Sequence, residues 1–314
     1  MTSNPSLDHW ARYWQSGARH SLPHDFSGNY DREVATFWNA QFTTVPAGGS
    51  ILDVCTGTGA IALLAKDARS DGSVRISAVD GATVDLATLN RIWPDRVSEL
   101  QDIEFVFGCP VERMDELGPK GPFDLVTSQY GLEYCDLATA APLIANVLKP
   151  GGILAMVTHA GSSEMAGTMA DEAADYQLLD EQGYLKLLRS WSKNQLSGQD
   201  LAKRLQKVAQ ALLPFYQQSQ SPLLAQVLES TQVALSQPVG QLMSQRQHAA
   251  AYLDQLTQAK ARLEDMLRVT QLVGDDASWL QPLINSGLKL LEQTEIRVDG
   301  EHLAGLGWVL QRKS

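Results

Sequence analysis

A short glycine-containing turn constrains the fold of this chain more than any other feature. The stretch ILDVCTGTGAIALLAKD, residues 51–67, has an apolar run, a turn with Gly57 and Gly59, and a second apolar run at helical spacing. A strand, a glycine turn and a helix in this order commonly cradle a phosphate or a nucleoside-bearing cofactor. The stretch therefore predicts a cofactor site at the end of a buried strand.

Short strands alternate with helical segments from residue 48 to residue 160. Strands are predicted at SILDVCT, SVRISAVD, DIEFVFGC, FDLVTSQYG and GILAMVTHA. Such alternation predicts an α/β fold, a parallel sheet with helices on both faces. The tail, TEIRV followed by LAGLGWVLQR within residues 289–314, predicts an antiparallel hairpin that closes the sheet.

The composition changes after Ala160, with four glutamines up to that residue and 21 beyond it. Residues 161–288 show helical periodicity and predict a helical insertion between the fifth strand and the hairpin. Three interpretations stay open: a lid over the site, a homodimer interface through Leu253–Leu267, or a packed subdomain without direct chemistry. One predicted apolar face comprises Leu201, Leu205, Val208 and Leu212.

Residues 1–47 contain two aromatic-rich helical stretches and are predicted to form an N-terminal flap. The alternative is a layer that packs its aromatic side chains on the core. The predicted organisation is thus a flap, a sheet domain of residues 48–160 and 289–314, and a helical insertion of residues 161–288.

Charge and cysteine content restrict the function classes. The net charge is −11, with −8 in residues 1–160 and −3 in residues 161–314, which disfavours nucleic acid as a partner. The three cysteines form no CxxC pair, so neither a metal site nor a disulfide framework is expected. No leader pattern and no apolar run of about 20 residues occurs, and the expected location is the cytoplasm.

The glycine turn alone leaves the cofactor open. Gly57 and Gly59 are followed by Ala62 at the third position of a dinucleotide fingerprint, so a nicotinamide cofactor is permitted. Asp80 ends the second predicted strand, 21 residues after Gly59, where a carboxylate accepts hydrogen bonds from ribose hydroxyls. Either cofactor class would use Asp80, and its structural alternative is a helix N-cap.

Five ordered segments resemble the Rossmann-like, class I S-adenosylmethionine-dependent methyltransferases. They are LDVCTGTG, AVDGA, FVFGCPVERM, FDLVTSQYGLEY and LKPGGILAMV. The pattern is most similar to the small-molecule branch of ubiquinone/menaquinone-type enzymes. The resemblance implies a seven-stranded, mostly parallel sheet with an antiparallel C-terminal hairpin. It also implies S-adenosyl-L-methionine as cofactor and S-adenosyl-L-homocysteine as product.

The resemblance also implies roles for individual residues. Asp53 would orient the turn and the methionine ammonium, and Asp80 would bind the ribose. Cys55 stands where the family has its first loop glycine, and Cys109 where an aspartate often contacts the adenine amino group. The full implied cofactor set is Asp53, Cys55, Gly57, Gly59, Asp80, Gly81, Cys109, Pro110, Val111, Ser128 and Gln129.

Methyl transfer to a protonated nucleophile requires a base. Catalytic candidates are His159 at the end of the fifth strand and Glu133 and Tyr130 after the fourth. Tyr30 and Tyr134 are candidates for substrate binding. For each of these side chains the alternative is a purely structural role, since a lone histidine or aromatic residue more often packs than reacts.

These observations predict a methyltransferase that acts on a small-molecule acceptor. Two alternatives stay open. One is a methyltransferase for protein or tRNA that docks its substrate on the helical insertion. The other is a non-catalytic S-adenosylmethionine-binding scaffold.

Overall fold

The computed structural model describes residues 7–21, 26 and 28–314. By its internal contacts the chain divides into two units, Met1–Ala166 with Arg268–Ser314, and Gly167–Leu267. We call the first the sheet unit and the second the helical unit. The predicted N-terminal flap, residues 1–47, lies partly outside the described residues.

The sheet unit contains one seven-stranded sheet of order β3-β2-β1-β4-β5-β7-β6. Strands β1 to β5 are parallel neighbours, and β7 pairs antiparallel with β5 and β6. This confirms the predicted α/β sheet with its antiparallel hairpin. The strands are β1 Ser50–Val54, β2 Arg75–Asp80, β3 Glu104–Phe107, β4 Phe123–Gln129, β5 Leu148–Thr158, β6 Leu288–Val298 and β7 His302–Arg312.

The central strand β1 is apolar on both faces because both faces of the sheet are covered. All its residues are buried, with Ile51 in one core cluster and Leu52 and Val54 in the other. Strand β5 begins earlier than predicted, at Leu148, which pairs with Phe123 before a register shift. The LKPGG segment therefore extends the strand instead of preceding it.

Short helices cover the sheet. Helix α4 begins at Leu86, and the carboxylate of Asp85 caps it by accepting a hydrogen bond from the Thr88 amide at 2.7 Å. Asp80 therefore does not cap this helix. The helices wholly within the sheet unit are α1 Asp8–Gln15, α2 Arg32–Phe42, α3 Ala60–Ala68, α4 Leu86–Ile92, α5 Val97–Gln101, α6 Met114–Leu117, α7 Leu137–Val147 and α14 Gln281–Asn285.

The helical unit has α-helices and no strand among its described residues. The predicted face of α10 is buried, and so are Leu253, Leu256 and Leu263 of α13. These leucines are therefore unavailable as an exposed seam, and homodimerisation stays a prediction. The helices are α8 Glu164–Glu181, α9 Tyr184–Ser192, α10 Gly198–Ser219, α11 Pro222–Leu235, α12 Val239–Leu242 and α13 Arg246–Val273.

The chain leaves and rejoins the sheet at neighbouring points. The Gly161 amide donates to the Gly274 carbonyl at 2.9 Å, and the backbone and hydroxyl of Ser162 both donate to Asp275 Oδ1 at 2.9 Å. A Cβ on Gly161 would lie 3.2 Å from the Gly274 backbone. We call this pairing the neck. None of the described helices is both long and apolar enough to cross a membrane.

Candidate functional site

The turn between β1 and α3 adopts left-handed backbone at three positions. Gly57 has a φ of 58° and Gly59, which precedes α3, a φ of 85°. A Cβ on Gly59 would lie 2.9 Å from the Phe105 ring, so this position also lacks room for a side chain. Cys55 has a φ of 56° although it is not glycine, a left-handed conformation that glycine adopts most easily.

Asp80 ties the glycine turn to the end of β2. Its Oδ2 accepts a hydrogen bond from the Gly57 amide, and its Oδ1 accepts one from the Ala82 amide, both at 2.7 Å. The side chain is buried, and burial raises its pKa to about 6 in spite of these bonds. Asp80 therefore organises the turn and leaves its remaining lone pairs for a ligand.

Asp53 lies on β1 beside this turn and is almost fully buried. Its two oxygens accept hydrogen bonds from the hydroxyls of Thr56 at 2.5 Å and Thr127 at 2.7 Å. Burial raises the Asp53 pKa to about 7, although these hydroxyls oppose the shift. A cation placed nearby would favour the ionised carboxylate.

The segment after β3 lies against the end of β2, where the resemblance places adenine. The Cys109 amide donates to the Asp80 carbonyl at 2.8 Å, and Val111 is buried. A Cβ on Gly81 would approach the Pro110 Cα at 3.3 Å, so these two backbones are in close contact. Burial raises the pKa of the Cys109 thiol, so it remains protonated.

The start of the chain covers the glycine turn. A Cβ on Gly57 would lie 2.9 Å from the Trp14 indole, and one on Gly81 would lie 2.7 Å from Leu7 Cδ1. Hydrogen bonds hold this segment in place, among them Gln15 Nε2 to the Thr83 carbonyl at 3.0 Å. We call residues 7–21 the cap. Sequence patterns predicted a flap or a core layer here, but not the contact of Trp14 with Gly57.

Beneath the cap lies a cavity of about 20 Å³, lined among others by Trp14, Arg19, Asp53 and Gln129. The Gln129 Oε1 accepts a hydrogen bond from the Trp38 indole at 2.5 Å, whereas its buried Nε2 has no partner. An unpartnered buried donor is costly, so this amide favours a ligand with an acceptor oxygen. Tyr30 also lines the cavity, and its hydroxyl accepts from the Ser21 amide at 3.2 Å.

Glu133 and His159 form a buried pair where β4 and β5 end. His159 Nδ1 lies 2.9 Å from Glu133 Oε1, and the His159 amide donates to the same oxygen at 3.3 Å. The imidazole is 6% exposed and the carboxylate 1% exposed, and Glu133 Oε2 has no hydrogen-bond partner. Because a carboxylate only accepts, Nδ1 carries the proton and Nε2 is the basic nitrogen.

Two tyrosines complete this cluster. The Tyr134 hydroxyl lies 3.5 Å from His159 Nε2, and the Tyr134 ring packs edge-on against Trp10 of the cap. Tyr130 packs beside His159 at 5.0 Å between ring centroids, and its hydroxyl donates to the Ala304 carbonyl at 2.8 Å. That bond favours a supporting role for Tyr130 over a catalytic one.

Several contacts of the site were not predicted from the sequence. Thr56 follows Asp53 by three residues, a spacing from which the local hydroxyl bond could have been expected. Trp38, by contrast, reaches Gln129 across 91 residues without any local signal. Ser128 accepts a hydrogen bond from the Leu132 amide at 2.9 Å, and its contact with the cofactor stays a prediction.

The donor set fits S-adenosylmethionine. The glycine turn lets a ligand approach the backbone closely, Asp53 offers a buried carboxylate to the ammonium, and Gln129 offers an unpartnered amide to a carboxylate. Asp80 keeps lone pairs for the ribose hydroxyls. Each of these groups lies at the carboxyl edge of the sheet, where open α/β sheets bind ligands.

Comparison with known structures gives low identities. A geranyl diphosphate C-methyltransferase from Streptomyces coelicolor A3(2) is 16% identical with a TM-score of 0.37, and the match covers 50% of this chain and 66% of that one. A Galdieria sulphuraria protein provisionally named a sarcosine dimethylglycine methyltransferase is 14% identical with a TM-score of 0.42, and the match covers 98% of each chain. No curated protein sequence is significantly similar to this one.

A family model gives the decisive comparison. Residues 33–185, just under half of the chain, match the ubiE/COQ5 methyltransferase family. The matched residues include the glycine turn, Asp80 and the Glu133–His159 pair. Residues 33–185 therefore carry the sequence pattern of S-adenosylmethionine-dependent methyltransferases, on a sheet of the order described above.

Proposed function

We propose that this enzyme methylates a small molecule at a nucleophile that carries a proton, such as a hydroxyl or an amine. The observation that carries the proposal is the buried Glu133–His159 pair at the ends of β4 and β5. The bound cofactor supplies a methyl group activated by a sulfonium. The protein must then orient the acceptor, exclude water and remove the acceptor's proton.

His159 Nε2 is the proposed proton acceptor. Glu133 holds the imidazole through Nδ1, so the basic nitrogen keeps one direction, and the carboxylate stabilises the imidazolium that forms. Tyr134, 3.5 Å from Nε2, is placed to orient an acceptor hydroxyl. Burial of both side chains keeps bulk water away from the base.

The proposed cofactor contacts follow from the donor set. Asp80 binds the ribose hydroxyls, Asp53 the methionine ammonium and Gln129 Nε2 the methionine carboxylate. Gly81 and Pro110 form one wall of the adenine site. Small-molecule sites typically occupy about 300–1,000 Å³, whereas the cavity beneath the cap has about 20 Å³. The cap must therefore move away from Gly57 before the cofactor binds.

A small acceptor is favoured over a macromolecule by charge. The net charge of −11 opposes binding of the phosphate backbone of tRNA. The resemblance to the ubiquinone/menaquinone-type branch points in the same direction.

Transfer of a radiolabelled methyl group tests the proposal. The purified enzyme would be supplied with methyl-labelled S-adenosylmethionine and, separately, with a set of hydroxylated and aminated small molecules, a tRNA pool and a peptide pool. We expect label in the small-molecule fraction only. Label in tRNA or peptide would instead support docking on the helical unit. Tight cofactor binding without transfer to any pool would support a scaffold.

A further inference from the structure

The helical unit contains a cavity of its own. Helices α9, α10, α11 and α13, together with Leu242 of α12, surround a space of about 170 Å³, and every lining residue lies within this unit. An apolar cavity of about 150 Å³ is large enough to bind benzene. The space in this unit is therefore large enough for one substituted ring.

Most of the wall is apolar. Leu188, Trp191, Leu201 and Leu205 contribute large side chains from α9 and α10, and all four are buried. Wall atoms around a void lose the dispersion contacts that a filled core provides. An apolar group placed in this space would restore the contacts that the wall atoms lack.

One part of the wall is polar and incompletely satisfied. Thr231 is 2% exposed, and neither its hydroxyl nor the buried hydroxyl of Tyr252 makes a hydrogen bond of standard distance and angle. The Tyr184 hydroxyl interacts more weakly with both groups, and Ser230 interacts with Tyr252. Burial raises the pKa of Tyr184 and of Tyr252, so these groups remain neutral hydroxyls. Buried hydroxyls in native proteins are normally paired, so this part of the wall lacks a partner.

We propose that this cavity is a second binding site, for a neutral ring compound that carries one hydrogen-bonding oxygen. The ring fills the apolar space between α9 and α10, and the oxygen pairs with Thr231 and Tyr252. The lining residues include no Lys, Arg, Asp or Glu, so nothing in the wall offsets the burial of a ligand charge. His248 and Gln245 lie on the more exposed side of the cavity.

Two shape-matched probes test the site by calorimetry on the full-length protein without cofactor. para-Cresol carries the hydroxyl, and para-xylene has a methyl group in its place. We expect para-cresol to bind at least threefold more tightly than para-xylene, since a neutral hydrogen bond is modest in water. Equal affinities, or no binding up to millimolar concentration, would overturn the proposal.

Variants locate the binding. Thr231→Val keeps the shape and removes the hydroxyl, so it should abolish the preference for para-cresol. Its control is Thr257→Val, because the Thr257 hydroxyl already donates to the Leu253 carbonyl at 2.7 Å. Ala249→Phe should block both probes, because Ala249 lines the cavity, whereas the exposed neighbour Ala250→Phe should not. Unchanged binding in Thr231→Val and Ala249→Phe would show that the probes bind elsewhere and would refute the site.

Discussion

The two halves of the sheet's carboxyl edge carry similar buried polar residues that differ in how completely they are hydrogen-bonded. At the ends of β1 and β2, every carboxylate oxygen of Asp53 and Asp80 accepts a hydrogen bond from this chain. At the ends of β4 and β5, Gln129 Nε2 and Glu133 Oε2 have no partner. The first half is thus preorganised by the protein, whereas the second leaves buried polar groups available to a ligand.

The largest expected effect is at the β4–β5 half. His159→Ala should lower turnover with the labelled acceptor about 10²–10⁴-fold, the usual contribution of a positioned base, without changing the cofactor affinity. Initial rates and calorimetry would measure the two quantities. His302→Ala is the control, because His302 is exposed and its hydrogen bond to Glu164 lies at the surface. Equal rates for wild type and His159→Ala would remove the base from the mechanism.

Asp80→Ala tests the preorganised half. It removes a proposed ribose contact and leaves the Gly57 and Ala82 amides unpaired, at about 1–3 kcal/mol for each buried donor. We expect cofactor affinity to fall about 100-fold or more and the free energy of unfolding to fall as well. Asp85→Ala removes only the N-cap of α4, which should lower the free energy of unfolding by about 1 kcal/mol, and the cofactor affinity should not change. If both variants bound the cofactor equally well, Asp80 would not be a cofactor contact.

The pKa values of the two aspartates in this half predict that cofactor affinity depends on pH. Asp53 and Asp80 have pKa values of about 7 and about 6, and a cationic ligand favours their ionised forms. Cofactor affinity should therefore decrease as the pH falls from 8 to 5, by at most about tenfold per pH unit for each proton taken up. Asp53→Asn should flatten this profile, while Asp95→Asn, at an exposed position, should not.

Stability without cofactor should follow the opposite trend. The folded-state pKa values lie above the ordinary carboxyl value of 3.8, so the folded protein binds these protons more tightly than the unfolded chain. The contribution of both groups to the free energy of unfolding should decrease as the pH rises from about 4 to about 7. Urea denaturation at several pH values measures it, and a contribution that rises over this interval would contradict the assignment.

The smallest expected effect concerns the cap. Trp14→Ala removes the indole over Gly57 and should raise the association rate of S-adenosylmethionine a few-fold, because the cap must leave before binding. Stopped-flow fluorescence would measure the rate. Leu86→Ala, a change of an exposed apolar residue on α4, is the control. A slower rate in Trp14→Ala would show that the indole guides the cofactor instead of covering its site.

The predictable part of the site is the part that local sequence determines. The strand, glycine turn and helix around Gly57 and Gly59 follow from spacing, and Asp80 from its distance to that turn. Contacts made across the fold leave no such signal. Cys55 and Cys135 lie 80 residues apart, yet their sulfurs are 3.7 Å from each other. The pairing of Glu133 with His159 likewise depends on the parallel register of β4 and β5.

The same contrast between local patterns and long-range contacts applies to the helix boundaries and to the helical insertion. The buried face of α10 was predictable from periodicity, whereas the start of α4 depended on competition between Asp80 and Asp85 for an N-cap. Asp80 instead accepts a hydrogen bond from the Gly57 amide of the glycine turn, 23 residues earlier in the chain. The cavity of the helical unit depends on four helices meeting, which no single periodic segment encodes.

The neck makes the enzyme modular. Because Gly161 and Gly274 are already hydrogen-bonded, the sheet can be closed there by a linker of a few residues in place of the 112 residues, 162–273, that now intervene. A short linker between Gly161 and Gly274 loses less conformational entropy on closure than a long loop does. Insertions of different length or sequence could be exchanged at this point without altering the strand order. The cofactor chemistry and the helical insertion can therefore evolve as separable parts of one gene.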